Sequence, residues 1–201
     1  GLLTAAASGY QAAIMAPTEV LAEQHFMTIA KLLEGIATPD KSKNLLSVHI
    51  PQAVSRETTV GILLGSMPPS AKKRIRDMLA DRSIDIVIGT HALIQDQVNI
   101  PKLALAVIDE QHRFGVLQRA ALREHGNNPH MLIMSATPIP RTLALTLYGD
   151  LDLSTIDQLP PGRQAVKTWW LQPEHRRRIY TFIRKQITDG RQVFVVYPLI
   201  D

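Results

Sequence analysis

The chain has 201 residues, 45% hydrophobic and 20% charged, enough for a globular domain with a well-filled core. The absence of cysteine excludes disulfides and cysteine-based zinc sites and fits a reducing cytosol. A formal charge of +4 permits an anionic partner without demanding one.

Residues 2–8 are alanine-rich and favour helix, with Gly9 as its stop. This opening run lacks the basic start of a signal peptide and is too short for a membrane span. It reads as the tail of a helix that begins upstream, so the chain is expected to be part of a longer one. Residues 11–16 read as a short buried strand ended by Pro17. Thr18 can cap a helix from Glu19 to about Leu33, in which Leu21, Ala22, Phe26, Ile29, Leu32 and Leu33 recur at helical spacing. Residues 35–59 have no sustained period and read as a surface loop or insertion with a short strand at 45–50.

Residues 60–64 form the next expected strand. Pro68 and Pro69 open a helix whose Lys72, Lys73, Arg74 and Arg76 should face solvent. Apolar runs at 84–88, 103–108 and 131–134 complete the strands. Strands alternating with helices imply a parallel sheet with right-handed crossovers. Residues 149–162 have the proline and glycine content of a linker. After them come an apolar run at 166–171, a helix around 176–187 and a strong β run at 192–199, the start of a second α/β unit.

The most informative stretch is Val107-Ile-Asp-Glu-Gln-His-Arg-Phe-Gly115. An apolar run ending in two acids is how a buried parallel strand delivers carboxylates to the carboxyl edge of a sheet, where α/β proteins place ligands. Asp109 would reach a Mg²⁺ held by nucleotide phosphates, and Glu110 would orient a water toward the terminal phosphate. Taken alone, the same acids equally suit the cap of the next helix. Farther along, Met131-Leu-Ile-Met-Ser-Ala-Thr-Pro-Ile-Pro-Arg-Thr-Leu143 is a second apolar strand running into a hydroxyl-rich turn and a helix start that carries Arg141.

The two stretches together resemble motifs II and III of superfamily 2 helicases. Asp109-Glu-Gln-His-Arg-Phe-Gly-Val116, Ser135-Ala-Thr-Pro-Ile-Pro-Arg-Thr142 and Leu159-Pro-Pro-Gly-Arg163 resemble the RecG family of bacterial ATP-dependent branched-DNA helicases, and the resemblance covers nearly the whole chain. The related Mfd-type transcription-repair coupling translocases usually carry Glu where this chain has Gln111.

The resemblance implies a RecA-like parallel sheet with helices on both faces over residues 1–150, an interdomain linker at 151–164, and the start of a second RecA-like domain at 165–201. It implies ATP and Mg²⁺ as cofactors, with Asp109 on the metal and Glu110 on the attacking water. His112, Ser135, Thr137 and Arg141 would couple hydrolysis to movement. Ala16-Pro-Thr-Glu-Val-Leu-Ala-Glu-Gln24 matches motif Ia and Gly89-Thr-His-Ala-Leu-Ile94 matches motif Ib. Backbone amides and hydroxyls at helix starts can hold DNA phosphates, which makes Pro17, Thr18, Gly89, Thr90 and His91 candidates. The Gly65-Ser66 turn joins them.

The motif Ia and Ib segments also suit an ordinary strand-to-helix transition, and the Gly65-Ser66 turn a common glycine turn. Trp169 and Trp170 could stack bases, although neighbours on a strand face opposite ways and at least one should enter a core. The seven histidines show no metal-ligand spacing. No Gly-x-x-x-x-Gly-Lys-Ser/Thr loop occurs in these 201 residues. In the family that loop lies just before the helix that residues 2–8 would finish.

The expected whole is a cytoplasmic, monomeric motor that remodels branched double-stranded DNA such as stalled forks and Holliday junctions, with no membrane partner. An Mfd-type translocase is the alternative within the class. A non-enzymatic nucleic-acid-binding module with a decayed motor is the alternative outside it.

Overall fold

In the computed structural model the chain forms two compact units, residues 1–149 and 150–201. The structure describes residues 1–33, 37–39, 44–48, 57–110, 122, 125–126, 128–136, 152–158, 162–163 and 166–196.

The first unit is built on β1 (Gln11–Met15), β2 (Ala37–Pro39), β3 (Leu45–Val48), β4 (Thr58–Leu63), β5 (Ile86–Gly89), β6 (Leu103–Ile108) and β7 (His130–Ile133). They make one sheet in the order β2-β3-β4-β5-β1-β6-β7. The five strands from β4 to β7 in that order pair in parallel. Helices α1 (Leu2–Ala7), α2 (Glu19–Leu32) and α3 (Pro69–Ala80) flank it. Helix α1 packs on β1, β5 and β6, α2 on β4 and β5, and α3 on β4.

Within residues 35–59 the short strand expected at 45–50 forms as β3, and the expected loop holds a further strand, β2. Strand β2 pairs antiparallel with β3, and β3 antiparallel with β4, so the sheet is mixed at this edge. Leu45 and Leu46 are adjacent and therefore point to opposite faces. Both are buried, so this part of β3 is covered on each side.

The parallel strands are apolar because both of their faces are covered. Every residue of β1 and of β5 is buried. The one polar side chain of β1, Gln11, is fully engaged. Its Nε2 donates to the carbonyls of Leu79 and Ile84, each at 2.9 Å, and its Oε1 accepts from the Lys102 amide at 3.2 Å. That one side chain ties the end of α3 and the entries to β5 and β6 to the start of β1. The amino ends of the strands are thereby locked, and their carboxyl ends are left to carry loops.

Helix α1 ends as the sequence predicts. Gly9 takes φ +77, its amide donates to the Ala6 carbonyl, and the Tyr10 amide donates to that of Ala5. This paired closure satisfies carbonyls that the helix end would otherwise leave open. Thr18 caps α2, its Oγ1 accepting from the Leu21 amide at 3.3 Å.

Gly89 closes β5 under a tighter restraint. A Cβ there would stand 2.5 Å from the Leu63 carbonyl oxygen and 2.9 Å from Leu93 Cγ. The carbonyl belongs to a paired strand and cannot step aside cheaply. Gly89→Ala is therefore expected to destabilise the first unit by about 1–3 kcal/mol, the usual cost of overpacking. Denaturant unfolding measures this, and an unchanged midpoint would show that β4 and β5 part freely.

In the second unit the helix α4 (Arg176–Thr188) follows a single 3₁₀ turn at Pro173–His175. The runs at 166–171 and 192–196 carry no strand, contrary to expectation, and 197–199 lie outside the described residues. Trp169 and Trp170 are both exposed, at 78% and 82%, so neither enters a core. Among the described residues no helix is long and apolar enough to cross a membrane.

Candidate active site and nucleic-acid interface

The parallel register places the motif residues on one edge. Leu63, Gly89, Met15 and Ile108 are Cα partners across β4, β5, β1 and β6, and Ile108 pairs in turn with Ile133 of β7. The residues that follow each strand therefore emerge side by side. They are Gly65 and Ser66 after β4, Thr90 and His91 after β5, Pro17 and Thr18 after β1, Asp109 and Glu110 after β6, and Ser135 after β7. This is the carboxyl edge, where α/β sheets hold ligands.

Three of these loops meet around Glu19. Its Oε1 accepts from the Ser66 amide at 2.8 Å. The Ser66 hydroxyl, then its amide, hold the Glu19 carboxyl below its ordinary value, with smaller help from the Gly65 amide and the neighbouring His91. Lys72 Nζ donates to the Gly65 carbonyl at 2.9 Å and closes the turn from α3. Thr90 is buried and its Oγ1 caps the 3₁₀ helix His91–Ile94, accepting from the Ala92 amide at 3.5 Å. Its side chain thus serves the loop's own geometry, and His91 is the exposed residue of that turn. Pro17 and Thr18 are half-buried, while Gly65 and Ser66 are exposed.

The acids sit one strand over. The Asp109 amide donates to the Met15 carbonyl at 2.9 Å, which continues the β1–β6 ladder past the strand end. Asp109 Oδ1 accepts from the Glu110 amide at 2.9 Å, and Oδ2 lies 2.8 Å from His25 Nε2. Glu110 takes φ +49, a left-handed backbone rare for a residue with a Cβ. Such strain collects at functional turns.

The donor set fits a hard cation. A carboxylate offers about four lone-pair positions, and among the described residues two contacts use those of Asp109. Mg²⁺ prefers oxygen and is commonly bound by one or two carboxylates together with substrate phosphates. Among the described residues no group of three or more His, Cys, Asp or Glu side chains could hold a metal alone. Asp109 and Glu110 thus suit a cation that arrives with a nucleotide. Ser135 is exposed just past β7, while His112, Thr137 and Arg141 lie outside the described residues.

The family model for the DEAD/DEAH box helicase matches residues 2–146. The chain belongs to that family. Among curated relatives, the ATP-dependent DNA helicase RecG of Synechocystis sp. is 47% identical over 200 residues, all of this chain and 22% of the relative. That of Bacillus subtilis is 42% identical over 200 residues, again all of this chain and 26% of the relative. A solved structure of RecG bound to a three-way DNA junction is 39% identical with a TM-score of 0.66, covering 96% of this chain and 23% of that one. The chain thus spans about a quarter of the length of the relatives it matches. Its mixed, mostly parallel sheet with flanking helices is the RecA-like helicase fold of the RecG structure.

The contacts of two residues of this candidate site escape sequence reasoning. His25 reads as one more position on an amphipathic helix, 84 residues from the acid it meets. Glu19 reads as a first-turn acid suited to the helix dipole, yet its contact is a turn 47 residues away. Glu19 falls inside the motif Ia stretch, but neither contact is visible in a motif. The available signal is topological: helix α2 starts at the carboxyl end of β1, between the strands that carry both partners.

Proposed function

We propose that this chain supplies the metal and water acids and the DNA-backbone loops of a RecG-type motor. The motor hydrolyses ATP to translocate on duplex DNA and remodel forks and junctions. Residues 1–150 would be its first RecA-like domain, 151–164 the linker and 165–201 the start of the second. The division of the chain at residues 149 and 150 favours this boundary.

The observation that carries the reading is the shared register of strand ends. It sets Asp109 and Glu110 beside the loops of Thr18, Ser66 and His91, on neighbouring strands of one rigid sheet. Asp109 would hold Mg²⁺ through its free lone pairs. The metal, when bound with ATP, neutralises charge on the phosphates. Glu110 would orient the attacking water. Ser135, with His112, Thr137 and Arg141, would pass the nucleotide state toward the DNA loops. Thr18, Gly65, Ser66 and His91 would meet the phosphodiester backbone through amide, hydroxyl and imidazole groups, contacts that position DNA without reading sequence, while Pro17, which has no N–H, and buried Gly89 and Thr90 would shape those loops.

We place this motor in the bacterial cytoplasm and expect it to work as a monomer. Identity to RecG over all of this chain favours this branch over an Mfd-type translocase. The full-length protein that carries this chain is expected to hydrolyse ATP faster with a three-way junction than with linear duplex of equal length. It should also unwind a model fork. Equal stimulation by both DNAs, with the fork left intact, would remove the branched-DNA reading. An absence of ATPase would leave a non-enzymatic DNA-binding module.

A further inference from the structure

We infer that His25 is a positioning residue for the metal-binding carboxylate. Its Nε2–H holds Asp109 Oδ2 so that the remaining lone pairs of the acid face the nucleotide. The inference rests on the proposed function and adds a residue to its site.

The main chain at Asp109 is fixed by the ladder bond from its amide to Met15. Its side chain is not fixed by that bond, because χ rotation could still turn the carboxylate away. Among the described residues two contacts set the rotation. One is local, from the Glu110 amide to Oδ1, and moves with the turn itself. The other comes from outside the turn, His25 Nε2 at 2.8 Å from Oδ2. An ionised carboxylate only accepts, so Nε2 must carry a proton. The pair is partly shielded, with side chains 31% and 21% exposed, where a hydrogen bond orients better than on open surface.

Helix α2 does not need this bond to stay in place. It is capped by Thr18 and anchored through buried Ala22 and Phe26. The histidine lies between those two anchors in sequence, on the rim of the apolar stripe, and reaches over the sheet edge to the acid. Its contribution therefore falls on Asp109 rather than on the fold. Groups that orient a metal's ligands typically carry about 10–100-fold in metal affinity or activity.

The test uses the full-length protein and the fluorescent nucleotide mant-ADP, titrated at increasing free Mg²⁺, beside steady-state ATPase. His25→Leu keeps bulk and removes the donor, and His25→Gln returns an Nε2–H donor. H25L is expected to raise the free Mg²⁺ needed for half-maximal mant-ADP binding by about 10-fold or more, while binding without metal is unchanged. H25Q should recover most of the loss. In an Asp109→Asn background H25L should add nothing, because its effect runs through that carboxylate.

Thermal melts verify folding, and His25→Ala replaces the Leu variant should that one fail. An unchanged Mg²⁺ requirement in the folded donor-less variant overturns the inference. So does a Gln variant as impaired as Leu, or an additive effect on top of D109N. A wild-type protein that binds no Mg-nucleotide overturns the proposed function itself.

Discussion

In the full-length protein, Glu110→Gln is expected to leave Mg-nucleotide binding in place and cut ATP turnover about 10²–10⁴-fold, the usual contribution of a positioned acid–base group. The substitution keeps the size of the side chain and one acceptor oxygen, but it turns the other oxygen into an amide donor and removes the capacity to take a proton. It also leaves untouched the backbone that aims the residue. The φ of +49 at Glu110 and the bond from its amide to Asp109 Oδ1 hold the turn. A left-handed residue of this kind costs about 1–3 kcal/mol, which the sheet beneath it must offset. Binding of mant-ADP and single-turnover hydrolysis, measured side by side, separate the two effects. Hydrolysis near the wild-type rate would mean that Glu110 does not act on the attacking water.

The readable parts of the molecule are those whose causes are local. The strand at Gln11–Met15, the helix at Glu19–Leu32 with its Thr18 cap, and the apolar run ending at Asp109 all follow from periodicity and end signals, and all form. The strand Ala37–Pro39 was not legible. It has three residues and a proline, and it gains its identity only by pairing with β3 at the edge of the sheet, where proline is tolerated. The described part of the run at 192–199, residues 192–196, fails in the opposite sense. Its composition favours a strand, but a strand is made by a hydrogen-bonded neighbour, and the described residues of its own unit include no other strand.

Trp169 and Trp170 teach the same lesson about burial. The described part of their unit offers one helix and no sheet to cover them. At the site, the acids were legible because they are consecutive at a strand end. The His25–Asp109 and Glu19–Ser66 contacts were not, because only the closed register of β4, β5, β1 and β6 brings their elements together.

The 201-residue chain by itself is expected to show no measurable ATPase and very weak nucleotide affinity. Phosphoryl transfer is catalysed mainly by positioning and by stabilising charge on the transferred group. Backbone amides and a lysine normally cradle the phosphates, and no Gly-x-x-x-x-Gly-Lys-Ser/Thr segment occurs among these residues. Asp109 and Glu110 therefore present two carboxylates to a triphosphate without the lysine and amides of that loop. Repulsion should dominate over any hold that one shared Mg²⁺ provides. The loops after β1, β4 and β5 are a different matter, because their amides and hydroxyls need no nucleotide. With a formal charge of +4, the chain should bind DNA weakly and without sequence preference. Its affinity should fall steeply with salt, by about 0.9 logarithmic units per tenfold change for each phosphate neutralised. Calorimetry with Mg-ATP, a DNA-stimulated ATPase assay and a salt series of duplex binding decide the matter. Micromolar ATP binding with turnover would require a phosphate cradle built from residues other than the glycine-rich loop, and would relocate the site.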